Sequence, residues 1–217
     1  MKKTFQLWRT SIIGMLLFCL FLYPSHTSAQ AIEAGYGKGK VLKFDQWLNQ
    51  EGGLKQQDAQ SFWLGYVYQT HVDEHCDYAA NYNYPTFTFG LLVADFNKVR
   101  LQYNPKGTRP IDYYSRCGTS YVVYATIRRA FFRSQSGWSV DYRFGNGIGY
   151  NTNIYNRFTN VDNIMIGSHL SVYFDVAFSL NYCCNQYEFF IGPEFRHLSN
   201  GGTVRPNKGI NKVDIGT

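Results

Sequence analysis

Past residue 29 the chain has no apolar run of the ~20 residues that a membrane-spanning helix needs. It also lacks a Pro/Ser-rich linker, a block of like charge and an internal repeat, so residues 30–217 read as one domain. The glycine-rich stretch Gly145-Asn146-Gly147-Ile148-Gly149 lacks the spacing of a dinucleotide fingerprint, and no helix follows it; glycines within a strand fit better. The densest group of metal-type side chains is His71, Asp73, Glu74, His75 and Cys76. It sits in one turn with no matching group elsewhere, so it reads as a solvated polar turn.

Residues 1–29 are of another kind. Lys2, Lys3 and Arg9 precede an apolar run from Ile12 to Tyr23, and Thr27-Ser28-Ala29 supplies small residues before Gln30. This is the pattern of a secretory signal peptide with cleavage near Ala29. Removing its three basic residues takes the formal net charge from +6 to +3 (6 − 3 = 3). The basic balance is therefore partly a targeting signal and does not point to nucleic acid. Cysteine is scarce: Cys76, Cys117, Cys183 and Cys184 remain after cleavage. An exported chain permits disulfides, and the topology argued below allows one bridge, from Cys76 to Cys183 or Cys184, with Cys117 free.

What the chain has in quantity is aromatic residues, 18% Phe, Tyr and Trp, while mean hydropathy stays negative at −0.31. That combination suits many amphipathic strands. Eight strands are expected, at 32–41, 61–70, 86–95, 120–132, 137–150, 164–180, 187–199 and from about 212. The sixth has the clearest alternation: Leu170, Val172, Phe174, Val176, Phe178 and Leu180 against His169, Ser171, Tyr173, Asp175, Ala177 and Ser179. Several reach ~10 residues, the length of a tilted strand crossing a bilayer. Export, strand number and aromatics together predict an all-β fold, an eight-stranded antiparallel outer-membrane β-barrel, apolar outside and polar within. A soluble sandwich or lipocalin-like barrel would alternate too, with its apolar residues turned inward. Asp141, Arg143, His169 and Asp175 would here form a polar interior. With both termini periplasmic, the connections at 133–136 and 181–186 are short, as expected of that side, whereas the one at 71–85 is long for it. The last strand is short and truncated at Thr217, without the terminal aromatic usual in outer-membrane barrels, which predicts either a fragment or a barrel that cannot close fully.

One stretch carries chemistry: His197-Leu198-Ser199-Asn200-Gly201-Gly202, then Pro206-Asn207-Lys208-Gly209-Ile210-Asn211. On a continuous strand His197 and Ser199 share a face with Cα atoms ~6.6 Å apart at ~3.3 Å per residue, near enough for imidazole to meet hydroxyl. The bland reading is a Gly/Asn hairpin turn with an incidental His and Ser. Parity places Phe189, Ile191 and Phe195 on the His197/Ser199 face. If that face meets lipid, the pair lies at the outer boundary of the membrane, where the substrate would be an outer-leaflet lipid.

The motif, at this spacing, resembles the PagL-type lipid A 3-O-deacylases and the related bacterial acyloxyacyl hydrolases. The resemblance implies that residues 30–217 form a β-barrel acyl hydrolase domain, a serine esterase that removes an ester-linked acyl chain from lipid A of lipopolysaccharide in the outer membrane. It implies Ser199 as nucleophile, His197 as general base and acid, and Asn200 with the Gly202 backbone as oxyanion hole. That chemistry requires no metal or cofactor. The family's founding members have a glutamate where this chain has Asn211. As third member, Asn211 would accept from the imidazole without a full negative charge, as in Cys-His-Asn sites. The expected partners are lipopolysaccharide and the outer membrane, with a homodimer left open and no nucleic acid. The alternative function is a non-catalytic or impaired barrel that binds or organises outer-leaflet lipid.

Overall fold

The computed structural model describes residues 30–44, 48, 53–70, 82–102, 110 and 112–216. The expected signal peptide, the cluster from His71 to Cys76 and the Cys76 bridge therefore lie outside the described residues. Among the described residues there are nine strands: β1 (Gln30–Val41), β2 (Leu54–Gln56), β3 (Asp58–Gln69), β4 (Thr86–Leu101), β5 (Ser115–Arg133), β6 (Trp138–Asn151), β7 (Leu170–Cys184), β8 (Tyr187–Ser199) and β9 (Ile210–Gly216). All pairings are antiparallel, in the order β4-β3-β1-β9-β8-β7-β6-β5, and β5 pairs back to β4. The result is a closed eight-stranded barrel, without strand edges where it is paired throughout. The extra strand, β2, continues β3 past Gln57 and pairs with the end of β4 at Leu54↔Leu101 and Gln56↔Arg100.

The alternation in the chain becomes the two faces of the wall. On β7, Leu170 (65% exposed), Val172 (57%) and Phe178 (49%) point out, whereas Ser171, Tyr173 and Asp175 are at most 2% exposed. Phe62, Leu64, Phe89, Leu91, Tyr121, Val123, Ile148, Phe189 and Ile191 extend the exposed apolar surface around the barrel. The interior is ionic. Arg143 reaches Glu33 (3.7 Å), Asp175 (3.2 Å) and Glu194. Arg196 holds Glu194 at 2.6 Å and Asp214 at 2.9 Å, and Lys212 pairs with Asp214. Gly145 makes room for this network, since a Cβ there would lie 1.7 Å from Asp175 Oδ1. Apolar outside and charged inside is the reverse of a soluble barrel and the arrangement of strands that cross lipid.

The two rims differ. At one, the turns after β5 and β7 span only residues 134–137 and 185–186. At the other, the longer connections 152–169 and 200–209 form a cap. Under that cap Val41, Phe96, Val99, Leu101, Met165, Ile166, Leu198 and Ile210 form a buried apolar cluster.

Three expectations need correction. The sixth strand does not begin at residue 164. Residues 164–169 fold over the loop rim instead, because Lys208 N–H and Gly209 N–H bond to the carbonyls of Ile164 and Met165 (both 3.0 Å), and Tyr155 N–H bonds to that of Ile166 (2.7 Å). Burial of Met165 and Ile166 in the cap outweighs extension of the ladder. His169 is consequently not an interior residue: it is exposed, stacked on Tyr150 with ring centroids 5.2 Å apart, and its Nδ1 lies 2.6 Å from the Asn151 carbonyl. The short final strand still closes the barrel, pairing with residues 192–198 of β8 and 37–41 of β1. Residues 30–36 of β1 and 187–191 of β8 have no β9 residue opposite them. Among the cysteines, Cys117 is buried and free, and Cys183 and Cys184 are exposed free thiols.

Candidate active site

His197 and Ser199 lie two residues apart near the loop-rim end of β8, and the strand period turns both outward. Across the ladder His197 pairs directly with Asn211 at the start of β9. The register puts three polar side chains in contact on the outer wall. His197 Nδ1 is 2.8 Å from Asn211 Oδ1, and His197 Nε2 is 2.9 Å from Ser199 Oγ. Because the amide oxygen can only accept, Nδ1 carries the proton and donates it, which leaves Nε2 to accept from the serine hydroxyl. All three residues are half-buried. Asp214 shares β9 with Asn211 but faces the lumen, as its parity requires.

The surroundings explain how the relay is held. The Asn211 carbonyl accepts from Leu42 N–H at 2.7 Å, which ties the start of β9 to the chain just after β1. Phe44 then packs edge-on against Phe195 with centroids 6.3 Å apart. Gly209 closes the other side. It has φ +73°, and a Cβ built on it would sit 2.7 Å from His197 Cε1 and 3.4 Å from Ser199 Cβ. Only glycine combines that backbone with that proximity. Sequence reasoning assigned no role to Gly209 or Phe44. Gly209 stood inside the motif as a signal, whereas Phe44 lies far from it in the chain and had none. Around the relay Val172, Phe174 and Val213 are exposed apolar neighbours, so polar groups sit in an otherwise apolar wall.

The expected oxyanion donors are placed differently. Asn200 Nδ2 donates to the Val204 carbonyl at 2.8 Å, and Asn200 Oδ1 accepts from Gly202 N–H at 3.0 Å. Asn200 N–H donates to Asn207 Oδ1 at 3.0 Å. Both donors thus serve the internal bonding of the 200–209 loop, a use that spacing could not reveal. Among the described residues no group of three or more His, Cys, Asp or Glu side chains could hold a metal ion.

A family model described as lipid A 3-O-deacylase (PagL) matches residues 64–216, from β3 to the last described residue. The chain belongs to the lipid A 3-O-deacylase (PagL) family. Comparison with curated proteins and with solved structures gave no match. Membership in the PagL family connects an eight-stranded barrel to hydrolysis of an acyl group on lipid A. The outward Ser-His-Asn contact is the part of this chain on which that chemistry can be tested.

Proposed function

We propose that the protein is an outer-membrane serine esterase, exported by residues 1–29, which removes an ester-linked hydroxyacyl chain from lipid A. The observation that carries the reading is the relay Asn211 Oδ1···His197 Nδ1 (2.8 Å) and His197 Nε2···Ser199 Oγ (2.9 Å) on the outward face of the loop rim. An acyl chain of a membrane lipid lies against the outer wall of a barrel, so a nucleophile that attacks it from the membrane must point outward. In this reading the loop rim faces the cell exterior, and Val172, Phe174 and Val213 border the acyl chain.

The reaction uses one proton carrier. His197 Nε2 takes the Ser199 proton as Oγ adds to the ester carbonyl carbon. The tetrahedral intermediate collapses, the C–O bond to the sugar breaks, and Nε2 returns the proton to the departing alkoxide. Water, deprotonated by the same nitrogen, then adds to the acyl-Ser199 ester, and Nε2 passes that proton to Ser199 Oγ as the C–Oγ bond breaks and the fatty acid leaves. Asn211 keeps the imidazole in the reactive tautomer throughout. Asn200 and Gly202 are the proposed oxyanion donors, each such bond contributing about 3 kcal/mol. Since both are engaged inside their loop, the substrate oxygen has to draw Gly202 N–H away from Asn200 Oδ1, which makes opening of residues 200–204 a step of the reaction.

That same engagement, with the lack of a carboxylate on His197, supports the second reading, a barrel that binds outer-leaflet lipid without cleaving it. One assay separates the two. Full-length protein is incubated with lipopolysaccharide and the lipid A is weighed by mass spectrometry. A hydroxyacyl mass lost with wild type and retained with Ser199→Ala supports the esterase. No loss with wild type, or equal loss with both, overturns it.

A further inference from the structure

Diametrically across the barrel from the relay, at the β4–β5 seam of the same rim, two arginines stand opposite each other. Arg100 and Arg116 are register partners, both exposed, and their chain neighbours Val99, Leu101, Ser115 and Cys117 are buried, so both side chains point outward. Like charges facing directly across a strand pair are destabilising. Among the described residues neither guanidinium has an acidic ion-pair partner. What lies between them is Tyr114. The Arg100 guanidinium carbon is 4.4 Å and that of Arg116 5.0 Å from its ring centroid, and Arg116 Nη2 donates to its hydroxyl at 2.6 Å. That hydrogen bond, and then the two arginine charges, hold the phenol below its ordinary pKa.

A second feature adjoins the pair. A cavity of about 370 Å³ opens beside Tyr114 and Arg116, lined otherwise chiefly by Thr152, Asn153, Asn156 and Thr159. That volume lies at the lower end of the ~300–1,000 Å³ range of ligand sites. Its shape is preset, because Asn160 clamps the Arg116 backbone through N–H···Oδ1 (3.0 Å) and Nδ2–H···O (3.1 Å) bonds, and Asn163 Nδ2 adds a third at 3.3 Å. A wall of hydroxyl and amide groups suits the hydroxyls of a sugar. Below the arginines on the same two strands, Phe89, Leu91, Val93, Tyr121 and Val123 form an exposed apolar strip.

We propose that this corner of the rim is a second lipid site, which takes the phosphorylated sugar headgroup of an outer-leaflet glycolipid. The phosphate bridges Arg100 and Arg116, whose planar forks match its oxygens. The sugar enters the Asn/Thr cavity, and the acyl chains run down the strip from Phe89 to Val93. The site lies four strand seams from the β8–β9 relay in a ring of eight, so the lipid held here is not the molecule being cleaved. It tethers and orients the barrel in its lipid. The proposal rests on the outward orientation of the loop rim adopted above.

The test reads binding alone, in the Ser199→Ala protein, by native mass spectrometry of detergent-solubilised full-length chain with bis-phosphorylated lipid A. The expected result is two lipid A molecules per barrel, with R100Q/R116Q weakening the uptake of one of them at least tenfold and the rim control Arg133→Gln changing nothing. Dephosphorylated lipid A should bind the parent protein no better at that site than phosphorylated lipid A binds the double variant. Uptake unchanged in R100Q/R116Q overturns the proposal. So does displacement of the lipid by low-millimolar inorganic phosphate, which would make the occupant free phosphate. A wild-type enzyme that fails to deacylate leaves these binding outcomes readable, so failure of the esterase reading and failure of this one are told apart.

Discussion

The two faces of the β8–β9 pair are one residue apart in sequence and opposite in character. Outward, His197, Ser199 and Asn211 are half-buried polar groups in a short relay set among apolar side chains. Inward, Glu194, Arg196, Lys212 and Asp214 are at most 3% exposed and ion-pair with one another. The inner set lies in register with itself, Glu194 facing Asp214 and Arg196 facing Lys212, as His197 faces Asn211. The difference teaches a division of labour. A slip of one residue between the strands would break the inner ion pairs and the outer relay together, so the charges that hold the pair also align the groups proposed to react.

The largest effect expected on the outer face is His197→Ala, which should lower the deacylation rate at least about 10³-fold while the unfolding midpoint barely moves. A parallel loss of stability would erase the distinction between the faces. On the inner face Asp214→Ala leaves Arg196 and Lys212 buried without that carboxylate and should cost about 3–5 kcal/mol of stability, read by urea unfolding of the refolded barrel. Activity per folded molecule should fall by less than about tenfold; a collapse comparable to that of His197→Ala would place Asp214 in the chemistry. Gly209→Ala sharpens the geometry. A Cβ pressing on His197 Cε1 should displace the imidazole and reduce kcat by about 10²-fold, with the barrel still folded. The smallest change is Asn211→Glu, which supplies the charge that Asn211 lacks. It should raise kcat by about tenfold if stabilising the imidazolium limits the present site, and an unaltered rate would mean that orienting the ring suffices.

Much of the architecture was legible as alternation. The run from Leu170 to Leu180 names its own two faces, and the parity of Phe189, Ile191 and Phe195 assigns His197 and Ser199 to the apolar one. What alternation could not convey is where a strand yields to a competing bonding pattern. Residues 164–169 have strand-like composition, yet the carbonyls of Ile164, Met165 and Ile166 are taken by Lys208, Gly209 and Tyr155, and Met165 and Ile166 gain burial in the cap. For the same reason His169 left the interior set. The loop bonds of Asn200 and Gly202 were equally invisible, because they depend on where Val204 and Asn207 return in space. Arg100 and Arg116, separated by 15 intervening positions, become a pair only through the β4–β5 register.

By itself the sequence determined which residues share a side of each strand, since a side-chain period of two needs no partner to be read. It thereby put His197 and Ser199 on one face, kept Asp214 off the face of Asn211, and made the barrel wall amphipathic. Tertiary structure decided the rest: which residue of β9 faces His197, how the chain after Ser199 uses its donors, and which distant side chains meet at the rim. Register and loop return are set by contacts between segments far apart in the chain, and no local pattern encodes a distance that only closure of the barrel creates.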